Sequence, residues 1–363
     1  MIPVYQPYLG AREKEYVNQC LESTWISSRG EFISRFEREF ASYIGSEHAT
    51  TVSNGTVALH LAMAALRIGV GDEVIAPTLT YIASINTIMQ TGARVVFADS
   101  SEPSWNINVA DIRARINART KAVMVVHLYG QACDMDEIVA LCREHNLLLI
   151  EDCAEAFGSL YKGRHVGTFG DVATFSFFGN KTITTGEGGM VVCQKEDVHE
   201  RACHLKNQGV SKTREYWHDE VAYNYRMTNI CAAIGLAQLE QADTIIARKR
   251  QIAHWYREAL EGLPLTFHAE LAGTRHSYWM CSILLRESCL CQGLRDWLKA
   301  CGIDTRPLFP PAHTMPHCQT DEIFEVAQSL SSRGLNLPSY PTLRQDQVLQ
   351  VSEEIRSYLE RSA

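Results

Sequence analysis

One lysine, Lys181, stands in the run Thr174-Phe-Ser-Phe-Phe-Gly-Asn-Lys-Thr-Ile-Thr-Thr-Gly-Glu-Gly-Gly-Met190, with no acidic residue within five positions on either side. Small, hydroxylated and glycine residues surround it, whereas a surface lysine usually sits in a mixed-charge face. An amine held in a dry pocket loses proton affinity. Its free base can then attack a carbonyl and form a Schiff base. Read alone, the same stretch also describes a loop lysine on a solvated turn.

Its potential partners lie far away in sequence. Asp152 closes an apolar run, Glu155 follows it by three positions, and Ser176 precedes the lysine. Tyr81 comes just after Pro77-Thr-Leu-Thr, and Ser53-Asn-Gly-Thr56 leads into an Ala/Leu-rich stretch. Each has an ordinary alternative: Asp152 as a helix N-cap, Tyr81 as a packing ring, Glu155 as a solvated helix charge. Together they supply what a pyridoxal-phosphate site requires. Lys181 offers the amine for the aldehyde, and Asp152 the carboxylate that keeps the pyridine nitrogen protonated. Gly55, Thr56 and Ser176 offer amides and hydroxyls for the phosphate. Tyr81 offers a flat ring, and Glu155 a hydrogen-bonding neighbour for the phenolic oxygen.

The elements that must position these residues follow an alternating rhythm. Short apolar strands are expected at Thr50–Ser53, Asp72–Ala76, Arg94–Ala98, Lys121–His127 and Leu147–Ile150. Helices separate them at Val57–Arg67, Tyr81–Thr91, Val109–Ile116 and Asp134–His145. Non-alternating apolar strands joined by helices mean crossover units on a mostly parallel sheet. Ligands of such sheets bind beyond the carboxyl ends of the strands. That rule marks Ser53–Thr56, Thr78–Tyr81, His127–Gly130, Asp152 with Glu155, and Ser176–Lys181. Upstream, Phe32, Ile33, Phe36, Phe40, Tyr43 and Ile44 recur at helical spacing. Past Leu263-Pro264 the rhythm stops; a strand at Ser277–Leu285, a helix at Leu294–Ala300 and a strand at Ile303–Leu308 are expected. The division is a large α/β domain, 21–244, and a small C-terminal α+β domain, 245–363, completed by residues 1–20.

Composition narrows the classes. The 363 residues carry 46% hydrophobic and 21% charged side chains, as an ordinary globular protein does. A net charge of −8 without a basic block speaks against a nucleic-acid binder. No apolar run approaches a membrane span, and Met1-Ile-Pro-Val lacks a leader's charged and apolar regions, so a cytoplasmic protein is expected. None of the twelve cysteines forms a C-x-x-C pair, which fits a reducing compartment. His313, His317 and Cys318 are spaced loosely like metal ligands, but Pro316 interrupts them and no metal is expected. A nicotinamide dehydrogenase would want G-x-G-x-x-G after the first strand, where Ser53-Asn-Gly-Thr-Val-Ala has one glycine. A pyridoxal-phosphate-binding regulator would need a DNA-reading module, and no basic helix-turn-helix stretch is visible.

Several motifs resemble the nucleotide-sugar aminotransferases of the DegT type, a branch of the fold-type I pyridoxal-phosphate enzymes. They include Ser53-Asn-Gly-Thr-Val-Ala-Leu59, Gly71-Asp-Glu-Val-Ile75, His127-Leu-Tyr-Gly130, Glu151-Asp152, Ser176 to Lys181, Gly186-Glu-Gly-Gly-Met190 and Tyr223-Asn-Tyr-Arg226. The resemblance implies that fold, a mostly parallel sheet with flanking helices plus the smaller C-terminal domain. It implies that Lys181 carries the Schiff base, Asp152 pairs with the pyridine nitrogen, Tyr81 stacks on the ring, and Gly55, Thr56 and Ser176 hold the phosphate. Glu155 stands where many relatives carry glutamine. Asn224 would reach the phosphate from a neighbouring subunit, so a homodimer with shared active sites is implied. The related dehydratase branch has histidine in place of the lysine, so Lys181 points to amino transfer. The implied substrates are L-glutamate and a 4-keto-6-deoxy sugar nucleotide, GDP-4-keto-6-deoxy-D-mannose by the look of Ser23–Ser28 and Thr78–Ala83, with a UDP-linked sugar as the alternative. The implied setting is O-antigen biosynthesis. His313 resembles a position near the sugar, though a surface turn histidine reads equally well. Arg226 and Arg306 are candidates for the glutamate carboxylate or the diphosphate, or for structural ion pairs.

Overall fold

The computed structural model describes residues 1–362. Helices α1 (Ala11–Ser23) and α2 (Glu31–Ile44) precede strand β1 (His48–Val52). Then α3 (Gly55–Ala65), β2 (Glu73–Pro77), α4 (Ile82–Gln90), β3 (Arg94–Ala98), α5 (Val109–Arg115), β4 (Thr120–Val126), α6 (Met135–Glu144) and β5 (Leu148–Asp152) alternate. A hairpin, β6 (Leu160–Tyr161) and β7 (Arg164–His165), leads to β8 (Val172–Ser176) and β9 (Gly189–Cys193). Helices α7 (Glu196–Lys206), α8 (Asn229–Leu239) and α9 (Ala242–Ala259) follow. The remainder comprises β10 (Leu265–Phe267), β11 (Thr274–Arg275), β12 (Cys281–Leu285), α10 (Cys289–Ala300), β13 (Arg306–Pro307), α11 (Glu325–Arg333), β14 (Gly334–Leu337) and α12 (Gln345–Ser362).

The large sheet has seven strands in the order β1-β9-β8-β5-β4-β2-β3. All pairings from β8 to β3 are parallel, and only β9 runs against its neighbours. This is the fold of the fold-type I pyridoxal-phosphate transferases. Every residue of β2 and β9 is buried, because helices cover both faces, and the sequence shows unbroken apolar runs there for that reason. The winding order reverses about β2: β3 lies on one side of it, β4 on the other. Such a switch opens a crevice at the carboxyl ends of the strands.

The second sheet, β10-β12-β14-β13, is antiparallel and packs with α9, α10 and α12 around Tyr256, Leu294, Leu298 and Ile355. The expected strand at Ser277–Leu285 begins only at Cys281. Tyr278 has φ 52° and donates its amide to His276 Nδ1 at 2.9 Å, which breaks the extended chain. The expected strand at Ile303–Leu308 shrinks to Arg306–Pro307. The N-terminal segment is split between the two layers rather than acting as one piece. Ile2 bridges to Ile303 in the C-terminal unit, whereas Tyr16 and Cys20 of α1 are buried in the core of the large sheet. Among the described residues no single helix is long and apolar enough to cross a membrane.

Beneath β8 lies an aromatic cluster. Phe40 on α2 meets Phe175 edge-on at 5.0 Å and Phe177 at 5.6 Å, and stacks on Phe157 at 5.8 Å. These rings seat the strand that runs into Lys181. Phe40→Ala should cost about 3–5 kcal/mol of unfolding free energy in urea titration; a loss below about 1 kcal/mol would show that the cluster does not seat the strand.

Candidate active site

Five strand ends, those of β1, β2, β4, β5 and β8, converge on one cavity of about 510 Å³. After β1 the chain enters α3 through Asn54, whose Oδ1 accepts from the Val57 amide at 3.0 Å. That cap engages the third amide of the helix and leaves those of Gly55 and Thr56 without intrahelical partners. A Cβ on Gly55 would lie 2.7 Å from the Ser176 Cβ, so only glycine lets α3 start this close to the end of β8. Opposite it, a Cβ on Gly189 would fall 2.6 Å from the Asn54 carbonyl oxygen, which lets β9 tuck under the same turn. The result is a small cradle of free amides, the Ser176 hydroxyl and a helix N-terminus, suited to an anion.

Asp152 ends β5 and is 4% exposed. Ser84 on α4 donates to its Oδ2 at 2.7 Å, and the Ala154 amide to its Oδ1 at 3.0 Å. Glu155, also buried, accepts the Tyr129 amide at 2.8 Å. Burial pushes the Glu155 carboxyl up to about 7, with Lys181 pulling it down and Asp152 adding to the rise. Lys181 faces this pair. Burial lowers the proton affinity of its amine, and Glu155 and Asp152 raise it. Its Nζ lies 3.8 Å from the centre of the Trp279 ring. Tyr81 is 57% exposed at the cavity mouth, its ring 5.6 Å from that of Phe309.

The structure therefore brings Gly55, Thr56, Tyr81, Asp152, Glu155, Ser176 and Lys181 to one cavity. Other candidates stand elsewhere. Asn224 is exposed, its Oδ1 accepting from Arg226 Nε at 2.9 Å. Arg226 also donates to Asn207 at 3.2 Å and lines a separate cavity of about 260 Å³. Arg306 pairs with Asp304 at 2.5 Å. His313 is not a surface turn residue: it is 3% exposed, with Nδ1 on Thr78 Oγ1 at 2.7 Å and Nε2 against Gln328 at 3.1 Å. His317 and Cys318 turn to separate partners, Asn86 and the Ala312 carbonyl.

His127, marked by its strand-end position, points away from the cavity. Its Nδ1 accepts from the Cys133 amide at 3.0 Å, so Nε2 carries the proton it donates to Glu151 at 3.1 Å. Glu151 also accepts the amides of Gly167, Phe169 and Gly170, each at 2.7 Å. Adjacent strand residues face opposite sides of the sheet, so Asp152 enters the cavity while Glu151 anchors the loop behind it. The sequence reading missed Ser84, Trp279, Phe309, Asn180 and Glu187. For Ser84 a signal existed, since it stands four positions after Thr80, at the start of α4, and the two share a 3.1 Å hydrogen bond.

The pattern of the DegT/DnrJ/EryC1/StrS aminotransferase family matches residues 7–356. Proteins named GDP-perosamine synthase from Escherichia coli O157:H7 and from Vibrio cholerae are each 56% identical to this chain, over 98% and 99% of either partner respectively. The aminotransferase TlmJ of Streptoalloteichus hindustanus superposes on it with a TM-score of 0.96 at 30% identity, covering 100% of both chains.

The raised Glu155 carboxyl has a consequence for stability. Below pH 4.5 folded and unfolded forms both hold its proton; between 4.5 and about 7 only the folded form does, so stability falls as pH rises through that window. In ligand-free protein Glu155→Gln should remove a fall on the order of 2–3 kcal/mol, read from urea titrations at several pH values. Parallel pH profiles for the two proteins would contradict it.

Proposed function

The chain belongs to the DegT/DnrJ/EryC1/StrS aminotransferase family, and from that premise we propose that it moves an amino group from L-glutamate to C4 of GDP-4-keto-6-deoxy-D-mannose. The product would be GDP-perosamine, used for a surface polysaccharide such as O-antigen. The enzyme depends on pyridoxal 5'-phosphate. The observation that carries the reading is the buried Lys181 amine sharing one cavity with Asp152, Glu155 and the Gly55–Ser176 cradle. The relatives named GDP-perosamine synthase, 56% identical over nearly the whole chain, support the choice of sugar and nucleotide.

The residues present fit the cofactor. With no side chain at Gly55, the start of α3 packs directly against Ser176, so the first amides of α3 and the Ser176 hydroxyl would hold the phosphate. Asp152, fixed by Ser84 and Ala154, would face the pyridine nitrogen. Tyr81 would cover the ring, and Glu155 would neighbour its phenolic oxygen. When bound, the group supplies an aldehyde that takes up the amine and a protonated ring that withdraws the electrons of a breaking C–H bond. Lys181 Nζ, whose proton affinity burial lowers, would take a proton from the carbon beside the transferred nitrogen and return it at the far end of the system. Asp152 would keep the ring nitrogen charged. The aromatic wall of Trp279 and Phe309 limits water around the amine.

The working unit in this reading is a homodimer. Asn224 lies outside its own chain's cavity, and apolar Trp25 and Phe178 are about half exposed, at 56% and 47%. Asn224 would complete the phosphate site of the other subunit, while Arg226 and Arg306 remain candidates for anionic groups of the substrates.

Purified protein should aminate the GDP-linked ketosugar far faster than a UDP-linked one with L-glutamate as donor, and Lys181→Ala should abolish turnover by several orders of magnitude. Equal rates on both nucleotides would reject the substrate assignment; near-normal turnover by Lys181→Ala would reject the mechanism. Mixing inactive Lys181→Ala and Asn224→Ala subunits should restore about a quarter of wild-type activity, since half of the dimers then carry one intact site. No recovery after subunit exchange would place Asn224 outside a shared site.

A further inference from the structure

We propose that Trp279 is a positioning residue that holds the Lys181 amine, keeping it charged and oriented without tying up its N–H groups. This rests on the assignment of Lys181 as the cofactor lysine. Trp279 touches the lysine segment twice. Its ring face lies 3.8 Å from Lys181 Nζ, and its Nε1 donates to the Asn180 carbonyl at 2.7 Å. The backbone just before the lysine and the tip of its side chain are thus fixed by one rigid group.

Trp279 cannot swing away. It is 4% exposed and lies nearly parallel to Tyr129, with ring centres 6.1 Å apart. Phe309 packs against both rings, its centre 5.1 Å from that of Tyr129 and 6.4 Å from that of Trp279, and the Tyr129 hydroxyl accepts from its amide at 2.9 Å. Tyr129 also donates its own amide to Glu155 at 2.8 Å, so indole and carboxylate are registered by one residue.

The groups facing Lys181 explain why such a ring is useful. Glu155 and Asp152 attract its charge, Glu187 and the Tyr81 phenol line the same cavity, and Tyr5 donates to the Lys181 carbonyl at 2.5 Å. A carboxylate that stabilises an ammonium also captures its N–H groups as acceptors and resists giving up the pair. An aromatic face attracts the charge through its quadrupole and accepts little, and indole is the strongest such face among side chains. Trp279 therefore supports the charged amine while leaving it free to turn toward the carbon whose proton it handles.

The test reads the charge directly. In the holoenzyme, the visible band of the cofactor linked to Lys181 titrates with pH. Losing the ring face removes support for the charged form, so Trp279→Leu should lower the midpoint by about half to one pH unit. Trp279→Phe, which keeps a weaker face and loses the N–H, should restore most of that shift, and kcat should fall more than KM rises in the leucine variant. Should the leucine variant fail to fold by circular dichroism, Trp279→Met, which fills space without a ring, takes its place. Folded variants with an unmoved or raised midpoint overturn the proposal. Borohydride reduction of the same samples separates the two failures. Wild-type protein without label on Lys181 sinks the underlying reading; labelled Lys181 with an unmoved midpoint sinks only the role of Trp279.

Discussion

A buried amine beside two buried carboxylates is the arrangement to which the surrounding structure answers. None of the three groups would be stable there alone, because removing an ion from water costs several kcal/mol even after relaxation. Together they share charge: Lys181 lowers what burial raises on Glu155, and Glu155 with Asp152 raises what burial lowers on Lys181. The donors around them fix the sharing. Ser84 and Ala154 hold Asp152, and the Tyr129 amide holds Glu155. Burial still outweighs this sharing on Glu155 and Lys181 and draws their proton affinities toward neutrality, as a proton-shuttling amine requires.

The sheet makes the arrangement affordable by distributing the work. The reactive groups come from several strand ends, Asp152 and Glu155 at and beyond the end of β5, Ser176 and Lys181 at and beyond that of β8, so no single turn must bring them all together. β5 places Asp152 on one face and Glu151 on the other, and Glu151 then ties down the Gly167–Gly170 loop that precedes β8. α3 can start against β8 because residue 55 has no side chain. Phe40 and its neighbours support β8 from below.

The alternating half of the chain was legible in its sequence, since buried parallel strands leave unbroken apolar runs and prolines and glycines mark their ends. Arg94–Ala98 was placed to the residue. The C-terminal half was legible only in part: the helix expected at Leu294–Ala300 lies within α10, and the two expected strands survive shortened as β12 and β13. β10, β11 and β14 have two to four residues each, too few for any periodicity to register. α11 also escaped notice, and the left-handed Tyr278 that shortens β12 leaves no sign in an aromatic-rich run. Among site residues, the strand-end rule found the side chains that follow a strand directly, and it also drew attention to His127. It could not tell which way that ring turns, because the deciding contacts, Cys133 and Glu151, belong to other segments. Trp279 and Phe309 escaped for the same reason: they reach the cavity from the C-terminal half, through tertiary packing alone.

That packing bears on how the C-terminal unit communicates with the lysine. The carbonyls of Asn180 and Lys181 are both held from outside the loop, one by Trp279 and the other by Tyr5. Tyr5 in turn has the buried Lys249 ammonium 5.1 Å from its ring centre, and Lys249 donates to the Ser339 carbonyl. Burial brings the Lys249 amine down to about 8, so this cation is itself near the edge of deprotonation. A segment of Gly, Asn and Thr has little packing of its own, and anchors of this kind remove the backbone freedom that it would otherwise keep. A shift of the C-terminal unit against the large sheet would pull on these two hydrogen bonds, and so on Lys181. The lysine is therefore held jointly by both halves of the chain, with its carboxylate neighbours on the large sheet and its backbone anchors and aromatic neighbour from the other side.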